Sequence, residues 1–204
     1  LDSGLRQIAF FVVPSAAAFL ILGDVIAAVL FQYARFGRAS TLFSWGILAG
    51  SAIGLLAGTL ARLYSSTYYA LRDTRTPLRF ALVRVALTTV LGYLFALPLP
   101  RALGIDPHWG AAGLTASAGL AGWVEFSLLR SRLNARIGVT GLSKSYVASL
   151  WTSALLAGAA AYGVKLLVGM TAPHLVLGVS VLGAFCVVYA VATLAFGVPE
   201  APAV

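Results

Sequence analysis

Charge is what this sequence has least of: only 10% of its 204 residues are charged, and only 6 are acidic. It has one cysteine, Cys186, inside an apolar run, so no disulfide framework can form. No Cys/His cluster shows metal-ligand spacing, and neither His108 nor His174 has a carboxylate at a helical spacing. There is no glycine-rich phosphate loop with a lysine, no His-Glu-x-x-His and no Gly-x-Ser-x-Gly elbow. An intramembrane enzyme needs a nucleophile with a base, or paired carboxylates, at membrane depth. Apart from Glu125, no acid lies within a predicted span. These absences speak against catalysis and predict neither cofactor nor metal. Period-two alternation is missing too, and the apolar runs are too long for barrel strands.

What is present is apolar. The share of AVILMFWYC is 60%, with a mean hydropathy of +0.95. A soluble domain carries about 45–50% apolar and about 25% charged residues. The excess excludes an ordinary water-soluble fold, and it excludes disorder. The net charge of +8 arises from few acids rather than many bases, 14 against 6. The bases do not cluster on one face, so no nucleic-acid partner is expected. The composition predicts an all-α polytopic membrane protein. A span with its loop takes roughly 30–35 residues, which gives six transmembrane helices.

Six stretches carry them, at about 5–30, 42–70, 78–99, 109–129, 146–168 and 175–196. The first is interrupted by Pro14 and by Gly23-Asp24. It reads as a span ending near Gly23, then an interfacial helix at about 25–36 capped by Asp24. Arg72 to Pro77 ends one helix and opens the next, with Pro77 in the first turn. The tail at 199–204 reads as frayed. The chain opens on Leu1 without a charged leader, and reads as the later part of a longer protein.

Basic residues alternate between loops. One side holds Arg6, Arg72, Arg75, Arg79, Arg130, Arg132, Arg136 and Lys144; the other holds Arg35, Arg38, Arg101 and Lys165. The richer side is expected to be cytoplasmic, which places both ends of the chain inside. Trp45, Trp109, Trp123 and Trp151 fall near predicted span ends, at aromatic-belt depth.

The second span carries the most information. Gly50, Gly54 and Gly58 recur every four residues, the spacing at which helices approach closely. The row continues to Arg62 and Ser66, flanked by Thr59, Ser65 and Tyr69. Two readings stand for Arg62: a packing helix whose arginine snorkels to the interface, or a ligand for an anion. Arg62 lies about 15 Å from the Arg72 loop at the helical rise, a long reach for snorkelling. Arg84 and Glu125 each lie about 8 Å in from the same side, so they are expected to form a structural ion pair. Arg72, Arg75 and Arg79 read mainly as an orientation signal facing anionic headgroups.

Tyr68-Tyr69-Ala70-Leu71-Arg72-Asp73-Thr74-Arg75-Thr76-Pro77 resembles the (F/Y)-Y-A-x-x-D-T-x-T-P signature of the MurJ/MviN family. Residues 30–36, Leu-Phe-Gln-Tyr-Ala-Arg-Phe, are similar to its L-F-x-x-G-x-F element, with Ala34 in place of the glycine. These are lipid II flippases of peptidoglycan synthesis, in the multidrug/oligosaccharidyl-lipid/polysaccharide exporter superfamily. The resemblance implies a fourteen-helix, two-lobe fold of which this chain forms the last six helices. Residues 1–132 would end the second transport lobe, and 133–198 would be two extra spans lining a lipid-tail groove. It implies a transporter, not an enzyme, rocking between two faces of the cytoplasmic membrane. Its partners would be lipid II, membrane lipids and an N-terminal lobe not present in this sequence. Arg62, Ser65 and Ser66 would then meet the diphosphate, and Tyr69, Asp73, Thr74, Thr76 and Pro77 would be the family's cytoplasmic-loop motif. In the third span, where some relatives carry acids for a coupling cation, this chain has Thr88, Thr89 and Gly92. Three rivals stand beside this reading. They are a flippase for another polyprenyl-diphosphate-linked glycan, an intramembrane lipid-phosphate-sugar transferase using Asp73 or Glu125, and a non-transporting scaffold.

Overall fold

A computed structural model describes residues 2–31, 38–104, 106–168 and 173–201. Six long helices dominate: α1 (Asp2–Phe31), α2 (Arg38–Ala70), α3 (Arg75–Ala96), α5 (Gly110–Ile137), α6 (Lys144–Val168) and α7 (His174–Ala195). The short α4 (Pro98–Ala102) and a 3-10 turn (Pro107–Trp109) join α3 to α5.

Two expectations change here. First, α1 is one continuous helix of 30 residues that runs through both Pro14 and Gly23-Asp24. The predicted break at Gly23 and the Asp24 cap are therefore absent, and residues 32–36 of the expected interfacial helix lie outside the described residues. The physical reason is tertiary. A Cβ on Gly23 would strike the Trp45 ring, and the Asp24 carboxylate accepts a hydrogen bond from Lys165 Nζ. The glycine serves close approach and the aspartate serves an ion pair. Second, among the described residues five helices rather than six are long and apolar enough to cross a membrane. The remaining long helix is α5. Its 28 residues suffice in length, but Gly, Ser, Thr and Glu125 dilute its apolarity.

The chain divides into two compact units. The first comprises residues 1–8 and 49–142, the second 9–48 and 143–204.

In the first unit α5 lies against both α2 and α3. Toward α2 the backbones almost touch: a Cβ on Gly54 would land on Gly119 Cα, and one on Gly50 would sit 2.7 Å from Ala112 O. Toward α3, Cβ atoms on Gly110 and Gly113 would sit 2.5 and 2.6 Å from the carbonyl oxygens of Ala96 and Phe95. Such spacing needs glycine, and it explains why α5 is poor in large apolar residues. Polar clasps reinforce the α2–α5 seam. Trp123 Nε1 donates to Ile53 O at 2.8 Å, and Tyr68 Oη to Leu129 O at 3.1 Å. Trp123 thus holds a neighbouring backbone midway along α5, not a span end as expected.

In the second unit α1, α6 and α7 associate through side-chain knobs set over glycines: Ile21 over Gly158 and Val29 over Gly178. Tyr189 Oη donates to Phe10 O at 2.8 Å. The tail is folded back rather than frayed. Val198 is buried, Val198 N bonds Thr193 O at 3.0 Å, and Tyr146 Oη donates to Glu200 Oε2 at 2.9 Å. Residues 202–204 lie outside the described residues.

A cationic groove and its comparisons

The candidate site lies wholly in the first unit, along one face of α2, α3 and α5. Its upper part is a cavity of about 280 Å³ lined among others by Gly58, Thr59, Arg62 and Arg84. A second, of about 290 Å³, shares Gly58, Arg62 and Arg84 and adds Ser65, Ser66, Tyr69 and Glu125. A third, of about 630 Å³, shares Ser65, Tyr69 and Glu125 and runs on past Thr74, Arg75 and Pro77. The three are stretches of one groove. Helical spacing builds it: positions 58, 62, 65, 66 and 69 fall on one face of α2.

Arg84 Nη1 donates to Glu125 Oε2 at 3.1 Å. The Glu125 side chain is only 8% exposed, whereas that of Arg84 is 42% exposed. A charge at this depth is costly without a partner, and the pair at 84 and 125 meets that demand. Arg62 is exposed and makes no ion pair among the described residues. The groove therefore holds more positive than negative charge. The Ser66 hydroxyl donates to Leu63 O at 2.8 Å, which leaves its lone pairs to the groove.

The glycine row divides. Gly50 and Gly54 meet α5, but a Cβ on Gly58 would find nothing within 4 Å. Gly58 departs from the expected packing row and keeps the groove open beside Arg62.

The 72–77 turn is an electrostatic staple. Asp73 accepts from Thr76 N at 3.0 Å, from Thr76 Oγ1 at 2.8 Å and from Arg136 Nη1 at 2.7 Å. These bonds, the backbone N–H of Thr76 first, lower its carboxyl pKa to about 2. Arg72 adopts a positive φ of 57°, which turns the chain from α2 into α3. Thr74 sits just ahead of α3, and Pro77 is buried in its first turn. Tyr69 is exposed toward the groove. Sequence reasoning did not single out Arg136 as a partner; its place in the last turn of α5 was the available signal. Tyr64 was missed likewise. Its hydroxyl meets Thr140 Oγ1 at 3.0 Å, tying α2 to the loop that follows α5. Outside the spans, Asp106 is also held below the usual carboxylate range, mainly by the backbone N–H of His108. Among the described residues no group of His, Cys, Asp and Glu could hold a metal.

Comparison with known proteins gives these features a setting. The family profile "Lipid II flippase MurJ" matches residues 1–188. The "Probable lipid II flippase MurJ" of Rhizobium meliloti (strain 1021) is 34% identical over 124 residues, 61% of this chain and 21% of that protein. The "Lipid II flippase MurJ" of Burkholderia cenocepacia is 30% identical over 129 residues, 63% of this chain and 23% of that protein. The corresponding Vibrio cholerae protein is 28% identical over 79% of this chain and 28% of its own length. The chain thus spans 21% to 28% of the length of these curated relatives. A solved structure, "Lipid II flippase MurJ, inward closed conformation", superposes with a TM-score of 0.77. It covers 96% of this chain and 38% of that one at 19% identity, a likeness of fold. With five described helices long and apolar enough to cross a membrane, its loop signature and a profile match over most of its length, this multi-pass membrane chain belongs to the MurJ lipid II flippase family.

Proposed function

We propose that the chain is the C-terminal part of a flippase that carries lipid II across the bacterial cytoplasmic membrane by alternating access. In this reading residues 1–132 complete the second transport lobe, and 133–198 line a groove for the lipid tail. That division cuts across the compact units, because α1 associates with α6 and α7. An N-terminal lobe supplies the opposite wall of the cavity, and both ends of the segment face the cytoplasm.

The observation that carries the reading is the surplus of cation in the groove. Arg62 stands in it without a carboxylate among the described residues, beside an Arg84 that offers further N–H donors. Two guanidinium groups near one wall suit a diphosphate, since each can make charge-assisted, forked hydrogen bonds to phosphate oxygens. Ser65 and Ser66 add hydroxyls on the same face. Nothing in the groove performs bond-making chemistry. Its one acid, Glu125, is committed to Arg84, which favours translocation over transfer.

The test is Arg62→Ala in the full-length protein, expressed in cells depleted of their own flippase. Rescue is expected to fall at least about tenfold, the size of one lost charge-assisted contact, with membrane expression unchanged. Full rescue at normal expression would remove Arg62 from the site. Rescue only in a strain lacking the flippase for a different polyprenyl-diphosphate-linked glycan would reassign the substrate.

A further inference from the structure

The ion pair in the groove is uneven, and the unevenness points to a role. Glu125 is buried on α5, while Arg84 is nearly half exposed on α3 and opens into the same two cavities as Arg62. Only one N–H of Arg84 is donated to the carboxylate, through Nη1. A guanidinium has five donors in a planar fork. A closed structural pair uses that fork face to face; this one is single-toothed, and the Arg84 side chain stays 42% exposed in the lining of the groove.

We propose that Glu125 is a resident counter-ion, a stand-in for the ligand's phosphate that holds Arg84 while the groove is empty and competes for it when an anion arrives. This rests on the reading of the groove as an anion site. The competing carboxylate weakens binding and so quickens release. Glu125 is thus a positioning residue that sets how tightly a phosphate anion is held. Its alternative, an unpaired Arg84, would bind more tightly and let go more slowly.

The experiment uses the full-length protein in neutral-lipid nanodiscs, titrated with farnesyl diphosphate as a short polyprenyl diphosphate and with inorganic diphosphate. Glu125→Gln should lower the Kd for both by about fivefold or more, the lower end of ordinary site-to-site coupling. Glu125→Asp should stay near wild type. Loss of a merely structural pair would weaken binding, not strengthen it. If E125Q lowers affinity and melting temperature together, with E125D restoring both, the inference falls. An unchanged Kd in a folded E125Q also overturns it. Arg62→Ala separates the two levels. If R62A weakens diphosphate binding while E125Q does nothing, only the counter-ion role fails. If R62A leaves binding intact, the anion groove itself fails.

Discussion

The two compact units answer the same two problems, close helix packing and charge in an apolar setting, in different ways. In the first unit glycines face backbone: Gly54 meets Gly119, and Gly110 and Gly113 meet carbonyl oxygens of α3. In the second, glycines receive the ends of side chains, Ile21 over Gly158 and Val29 over Gly178. A backbone cannot step aside, whereas a side-chain terminus can rotate. Charge differs in parallel. The second unit joins Asp24 to Lys165 within its helices, with Lys165 also over the Tyr162 ring. The first sets one acid, Glu125, beside two arginines in an open groove. One unit pairs a base with an acid inside its helices; the other leaves Arg62 exposed along a groove without an ion pair among the described residues.

The largest effect should come from testing the seams. Gly54→Ala should destabilise by about 2–4 kcal/mol, since helices in backbone contact must separate. Gly158→Ala should fall within about 1 kcal/mol of wild type, because Ile21 can shift and alanine favours helix. Thermal melts in detergent measure both; equal costs would erase the contrast. The charge contrast is tested next. Removing one partner by Asp24→Asn or Lys165→Met should cost about 1–3 kcal/mol, by stranding the other charge. The double replacement should recover most of that loss. A double variant no better than the singles would mean that the pair is more than mutual neutralisation.

The smallest effect sharpens what lies outside the membrane. The folded pKa of Asp73 is depressed to about 2, below the usual carboxylate value of about 3.9. A depressed folded pKa contributes stability that is present above the unfolded value and is lost as pH falls toward the folded one. The α2–α3 turn should therefore hold from neutrality down to about pH 4 and loosen between about 4 and 2. Hydrogen exchange at the Thr76 amide reads this directly. Asp73→Asn should lower the protection factor of that amide at neutral pH and leave it largely independent of pH over the same window, with no change in the second unit.

Much of this was legible in the residues. Depth along two helices placed Arg84 opposite Glu125, because helical rise is a fixed ruler. The four-residue glycine row located the α2 seam at Gly50 and Gly54, and the D-T-x-T-P segment located the turn. What could not be read depended on partners far away in sequence. Gly23-Asp24 carries the local signals of a break, and only Trp45 and Lys165 make it a continuous helix. Gly58 looks like its two predecessors, yet a Cβ on it would meet nothing within 4 Å. The place of Arg136 in the last turn of α5 marked it as a base at a helix end, but not that it would reach Asp73 across 63 positions. The folded tail depends on Tyr146, 54 positions before Glu200.

The thin apolarity of α5 has a consequence for how the protein is made. A helix of Gly, Ser, Thr and one buried Glu gains little by moving from a translocation channel into lipid alone. Its glycines fit α2 and α3, and Glu125 needs Arg84. Both neighbours precede it in the chain and emerge from the ribosome first. The seating of α5 therefore depends on company, and a lesion in α2 or α3 reaches beyond the groove: it takes away the backbone and the arginine against which a later helix is set.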